Sequence, residues 1–197
     1  MSPVVVAVLA GGAGRRMGGD KPRRRLNGLR LLDHALNKAH ALAGPVILVV
    51  RDPAQADGFA ETIMLDAPDI DGPLAGLLAA LVWAADAGFD QVLTLACDMP
   101  RVPGDLLSRL QSALTAESGV AVAASGGRLH PVCALWRTTA VPVLRRRADE
   151  GRLSLQGLSE AVGRVIVDWP AEDDDAFVNI NTIDDLALAE AALPEHG

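Results

Sequence analysis

Residues 3–21 read Pro3-Val4-Val5-Val6-Ala7-Val8-Leu9-Ala10-Gly11-Gly12-Ala13-Gly14-Arg15-Arg16-Met17-Gly18-Gly19-Asp20-Lys21. From Pro3 to Ala10 every side chain is apolar, with no polar alternation. Such a run predicts a strand buried on both faces, which is the situation of a strand in a parallel sheet covered by helices on each side. The glycines that end it carry no Cβ, so backbone N–H groups there can approach an anion closely. Arg15, Arg16 and Lys21 add positive charge where phosphates would lie. The stretch is a buried strand followed by a candidate phosphate loop; the alternative is a glycine-rich connection with a solvated arginine face. Two familiar glycine motifs fail here. A dinucleotide fingerprint counted from Gly12 meets Met17 where its third glycine belongs, and a Walker loop is broken by Asp20 between Gly19 and Lys21, with Pro22 following.

Working outward, Leu31, Leu32, Ala35, Leu36, Ala39 and Leu42 recur at helical spacing, and Gly44-Pro45 closes that helix before a second apolar run, Val46 to Val50. Ile63 to Leu65 is a short third strand, followed by an acidic, proline-bearing loop from Asp66 to Pro73 and a helix from Leu74 to Ala87. Gln91 to Cys97 reads as the next buried strand and Pro103 to Ala116 as the helix after it. Further strands are expected at Val120 to Ala124, Val132 to Trp136, Val165 to Val167 and Phe177 to Ile180. Helices are expected at Thr138 to Arg147, Leu153 to Val162 and Ile183 to Leu193. This alternation implies an α/β fold, a Rossmann-like doubly wound, mostly parallel sheet with ligands bound at the carboxyl ends of its strands. The 197 residues suit a single domain spanning 1–197.

Half the residues are apolar. No apolar run is long enough to span a membrane, and the start shows no signal-peptide pattern, so a cytoplasmic protein without membrane contact is expected. The formal net charge of -7 speaks against nucleic-acid binding, which calls for a basic surface. The basic residues cluster instead at Arg15, Arg16, Lys21 and Arg23 to Arg25, the pattern of a local phosphate pocket. Cys97 and Cys133 form no Cys-x-x-Cys pair and read as small buried hydrophobes.

Four other places carry candidate chemistry. Asp98, in Cys97-Asp98-Met99-Pro100, follows a buried strand, where a carboxylate can hold Mg²⁺ shared with substrate phosphates; the alternative is a turn capping the next helix. Asp71-Gly72-Pro73-Leu74-Ala75-Gly76 feeds a helix N-terminus, whose free N–H groups can bind an anion or the edge of a base. In Asn179-Ile180-Asn181-Thr182 the alternating asparagines point to one side and can offer amide groups to a ligand, while Asn181 or Thr182 also suits the N-cap of the last helix. His130-Pro131 follows Gly126-Gly127, and a lone loop histidine is more often structural than catalytic.

Taken in order, Leu9-Ala10-Gly11-Gly12, Arg16-Met17-Gly18 leading to Asp20-Lys21, Leu26-Asn27-Gly28, Gly72 to Gly76, Cys97 to Pro100, His130-Pro131 and Phe177 to Thr182 resemble the molybdenum cofactor guanylyltransferase (MobA-like) family. That family belongs to the nucleotide-diphospho-sugar transferase type of fold. The resemblance covers nearly the whole chain. It implies an Mg²⁺-dependent transfer of GMP from GTP to molybdopterin or Mo-molybdopterin, giving molybdopterin guanine dinucleotide and pyrophosphate. Leu9, Ala10, Gly11 and Gly12 would hold guanine and ribose, Asp66 the base or ribose side, Lys21 and Arg16 the phosphates, and Asp98 the Mg²⁺. Gly72, Gly76, His130, Asn179 and Asn181 would complete the binding surface, and molybdopterin-handling proteins or recipient molybdoenzymes would be partners. Two departures stand out: Val49-Val50-Arg51-Asp52 runs where the family commonly has an asparagine, and Leu29-Arg30-Leu31 replaces the usual Lys-Pro-Leu, moving a positive charge. A molybdopterin cytidylyltransferase, a sugar-1-phosphate nucleotidyltransferase and a non-catalytic nucleotide or cofactor carrier are the competing readings.

Overall fold

The structure, a computed structural model, describes residues 3–11, 21–42, 44–170 and 176–192. The opening apolar run forms β1 (Val4–Leu9), whose Val5, Val6, Ala7 and Val8 are fully buried. It is the third strand of a seven-stranded sheet. The others are β4 (Val46–Val50), β5 (Thr62–Leu65), β6 (Gln91–Ala96), β7 (Val120–Ser125), β8 (Arg128–Arg137) and β9 (Arg164–Trp169). The order across the sheet is β5-β4-β1-β6-β8-β7-β9, parallel except for β8, which runs antiparallel to both β6 and β7. A small antiparallel hairpin, β2 (Arg25–Leu26) with β3 (Leu29–Arg30), stands apart from it.

Alternation along each strand divides the core. Val6, Val8, Leu48 and Val50 pack on one face under α1 (Leu31–Leu42) and α3 (Leu106–Ala113). Val5, Ala7, Ile47 and Val49 pack on the other under α2 (Pro73–Asp86), α4 (Val141–Asp149) and α5 (Leu155–Ala161). Side chains at i and i+2 share a face, so a strand sandwiched between two helical layers must be apolar throughout. The polar exceptions in this core are bonded: the Thr94 hydroxyl donates to the Ala134 carbonyl at 3.2 Å and accepts from the Trp136 indole at 3.3 Å. The last helix, α6 (Ile183–Ala192), packs through Leu186 and Ala189 onto Leu26, Leu31 and Ile180.

Several expectations need correction. Phe177 to Ile180 is not a strand: a short 3-10 turn covers Ala176 and Phe177, and Ile180 N–H makes one backbone bond, to the Asp98 carbonyl at 2.9 Å. The segment is held by its side chains rather than by a ladder. β8 starts at Arg128, not Val132, because Gly126-Gly127 makes a two-residue hairpin from β7 to β8. The register then slips, with Ala123 opposite His130 but Val122 opposite Ala134. Pro131, which has no N–H to give a ladder, sits in that bulge. The helix expected from Pro103 begins only at Leu106, since Pro103 accepts a turn bond from Leu106 N–H, and it ends at Ala113. Thr138 to Ala140 is a 3-10 turn ahead of α4.

Candidate active site

Strands β1, β4, β5 and β6 end on one rim, and the chain keeps its sheet bonding one residue further. Ala10 N–H donates to Val49 O at 2.8 Å, Asp66 N–H to Val50 O at 2.8 Å, and Cys97 N–H to Leu9 O at 3.3 Å. A cleft of about 700 Å³ opens here, walled by Leu9, Gly11 and Arg51, by the loop from Asp66 to Pro73, by Gly76, by Ala96 to Met99, and by Val132 and Asn179.

Asp66 is closely confined in this cleft. Its carboxylate lies between two glycines: a Cβ on Gly11 would collide with Oδ2, and one on Gly76 would fall 3.1 Å from Oδ1. Larger residues at either position would displace it. No hydrogen bond joins this carboxylate to another described residue. Burial accordingly pushes its pKa above the ordinary carboxylate value, an effect that the nearby positive charge of Arg51 opposes. A half-buried carboxylate without internal donors is set to accept them from a ligand.

Asp98 follows β6 through Cys97 and is half-buried at the cleft wall, with its backbone carbonyl taken by Ile180. Across from it, α2 begins at Pro73 with Gly72 as N-cap, and no side chain caps it. Gly72 and Pro73, at its N-terminus, line the same cleft. No group of three or more His, Cys, Asp or Glu side chains suited to holding a metal occurs among the described residues.

A second cleft, of about 510 Å³, shares Met99, Val132 and Asn179 with the first. His130 lies in it, on β8 and not in a loop, 8 % exposed, its Nε2 2.9 Å from the Ser125 hydroxyl. The imidazole stacks on Phe177 with ring centroids 4.7 Å apart, and Trp169 meets Phe177 edge-on at 5.4 Å. Beneath the shared wall, the Cys133 thiol donates to Met99 Sδ at 3.2 Å, and complete burial pushes its pKa up to about 12. Cys133 and Cys97 are both buried, as expected from the sequence.

Of the residues singled out from sequence, Leu9, Gly11, Asp66, Gly72, Gly76 and Asp98 line the first cleft, His130 and Asn181 the second, and Asn179 both. Ala10 does not: its methyl is buried in the opposite core and its N–H is used by Val49. Thr182 caps α6, exchanging bonds with Asp185, whose carboxylate also accepts from Asn181 N–H. Arg30 does not free a charge for phosphates. Its guanidinium grips Asp33 through two bonds of 2.9 and 2.7 Å and stacks on Phe59. Gly12, Arg16 and the side chain of Lys21 lie outside the described residues. Sequence reasoning passed over Ser125, Phe177 and Trp169. The available signal was rarity, since a chain with three Phe, three Trp and no Tyr stacks one of those rings on His130 and sets a second against the first.

Comparison with known proteins adds four findings. Residues 6–165 match the MobA-like NTP transferase domain. The chain is 42% identical over 188 residues to a protein of Acidiphilium cryptum named molybdenum cofactor guanylyltransferase, covering 93% of this chain and 92% of that one. It is 39% identical over 195 residues to a protein of the same name from Nitrobacter hamburgensis, covering 95% and 93%. Among solved structures it resembles molybdopterin-guanine dinucleotide biosynthesis protein A of Archaeoglobus fulgidus, with a TM-score of 0.79, 28% identity and coverage of 95% and 97%.

Proposed function

The chain belongs to the MobA-like NTP transferase family, and from that premise we propose that it is a molybdenum cofactor guanylyltransferase, moving GMP from GTP onto molybdopterin or Mo-molybdopterin. The observation that carries the reading is the pair of clefts with a common wall at Met99, Val132 and Asn179, beside Asp98. One cleft has the strand-end carboxylates and helix N-terminus of a nucleotide site; the other has an aromatic, hydrogen-bonded floor suited to a flat heterocycle.

In this reading the terminal phosphate of the pterin attacks the α-phosphorus of GTP. A new P–O bond forms, the bond to the β-phosphate oxygen breaks, and pyrophosphate leaves. The substrate phosphate is the nucleophile, so no activated serine or cysteine is required; the inert Cys133 is consistent with that. The protein orients both partners at the shared wall. Arg16 and Lys21 follow Gly11 closely in sequence and would neutralise charge on the α-phosphate and the departing pyrophosphate.

The donor set fits Mg²⁺ shared with substrate better than a caged metal. Mg²⁺ is commonly held by one or two carboxylates plus substrate phosphates and waters, and Asp98 supplies a carboxylate where no three-ligand cluster stands among the described residues. Bound there, the ion would polarise phosphoryl oxygens. No helix among the described residues is long and apolar enough to cross a membrane; the cytoplasmic location expected from the sequence is part of this proposal.

The test is a titration with GTP and with CTP in Mg²⁺ followed by thermal stability, since a ligand that binds only the folded state raises it with concentration. It is completed by pyrophosphate release on adding molybdopterin. Selective stabilisation by GTP with pterin-dependent release is expected; preference for CTP would make the enzyme a cytidylyltransferase, and binding without turnover a carrier.

A further inference from the structure

Arg51 lines the first cleft beside Asp66. Their placement follows from register. Arg51 directly follows β4 and Asp66 directly follows β5, parallel neighbours in which Val50 pairs with Leu65. Asp66 N–H continues that ladder by bonding Val50 O at 2.8 Å. The two Cα positions are therefore separated by roughly one interstrand spacing, about 4.8 Å, and residues paired across parallel strands project to the same face. That face is the one covered by α2, where Gly76 meets Asp66. The Arg51 guanidinium is exposed and makes no hydrogen bond or ion pair with another described residue; its backbone N–H is used by Gln55 at 3.0 Å.

We propose that Arg51 is a specificity-determining residue for guanine, donating to O6 while the neighbouring Asp66 carboxylate accepts from N1–H and the 2-amino group. This rests on the nucleotidyl-transfer reading above and adds to it a residue for base choice. An acceptor fork beside a planar donor fork matches guanine, whose edge sets two adjacent donors next to an acceptor. Adenine and cytosine offer the carboxylate a single donor with an acceptor nitrogen beside it, so one carboxylate oxygen would face a lone pair. The glycines at 11 and 76 fix the carboxylate in place, which leaves the base to adapt to it.

The experiment measures binding of GTP, ITP, CTP and 2-aminopurine riboside triphosphate, each in Mg²⁺, to the full chain and to Arg51→Met and Arg51→Lys. ITP keeps O6 but lacks the 2-amino group; the 2-aminopurine nucleotide lacks O6. Arg51→Met is expected to weaken GTP and ITP roughly tenfold, the worth of one charge-assisted hydrogen bond, and to leave the 2-aminopurine nucleotide within about twofold. Arg51→Lys is expected to recover part of the loss. An equal loss for all four nucleotides would mean that Arg51 serves the phosphates, and no loss would mean that it serves neither; either result overturns the proposal while the guanylyltransferase reading stands. A parent protein that binds none of them removes both.

Discussion

The two clefts meet at one wall and are built in opposite ways. In the first, Asp66 and Arg51 face the cavity without hydrogen bonds to other described residues, held only by backbone ladders and by the close approach of Gly11 and Gly76. In the second, His130 is held by Ser125 and by Phe177, which is itself packed against Trp169. The first stores unmet bonding capacity at a cost in stability. The second is internally satisfied and offers a preformed surface. A nucleotide base with its own donors and acceptors rewards the former arrangement and a flat, partly apolar acceptor the latter.

The comparison breaks first at Asp98. Asp98→Asn is expected to lower turnover by a factor on the order of 10³ without unfolding the chain, since it removes a charge that organises the reacting phosphates. Pyrophosphate release checks this, and near-parental release in Mg²⁺ would remove Asp98 from the chemistry.

Asp66 sharpens the contrast, because one substitution should move binding and stability in opposite directions. Asp66→Asn is expected to weaken GTP roughly ten- to a hundredfold, as a charged acceptor of two hydrogen bonds is lost. The same variant should be more stable than the parent at neutral pH. The folded-state pKa of Asp66 is raised by burial, so its contribution to stability is present below the unfolded value and is lost as pH rises through the folded one. Denaturation midpoints from acid to neutral pH should therefore separate progressively. A parent that is the more stable of the two at neutral pH would show Asp66 to be satisfied after all.

In the second cleft, Phe177→Leu should raise the KM for the pterin roughly fivefold, through lost ring stacking, and leave GTP affinity unchanged. The fold should lose about 1 kcal/mol, as for other near-isosteric core changes. A fall in GTP affinity with no change for the pterin would reverse the assignment of the two clefts. The smallest effect is expected away from both. Arg30 holds the Asp33 carboxyl below its ordinary pKa mainly by hydrogen bonding, so this stabilisation is present above the unfolded value and lost as pH falls through the folded one. Asp33→Asn should cost less than about 1 kcal/mol at neutral pH because the pair is partly exposed, with turnover unaltered.

How legible each cleft was depends on how it is encoded. Leu9, Gly11 and Asp98 sit at the ends of apolar runs, and the position of a strand's end can be read from the run itself, whereas Asp66 was singled out only through the family resemblance. His130 was misplaced in a loop because Pro131 looks like a strand breaker, yet a bulge in β8 accommodates it. Phe177 looked like a strand residue because its neighbours are apolar, yet it serves as a ring in a stack. Arg51 carried no signal of its own in the sequence, and its meaning depends on Asp66 beside it.

Local pattern alone determined the α/β alternation, the both-face burial of β1, the helix from Leu31 to Leu42 and the rim on which ligand groups gather, because burial periodicity and turn chemistry act over a few residues. Only the tertiary structure decided that β8 runs against its neighbours, that Val50 and Leu65 pair and so bring Arg51 to Asp66, and that Ser125, His130 and Phe177 line one cleft with Trp169 packed against Phe177. Strand order, register and ring packing are settled by contacts between segments far apart in the chain, and no single segment carries that information.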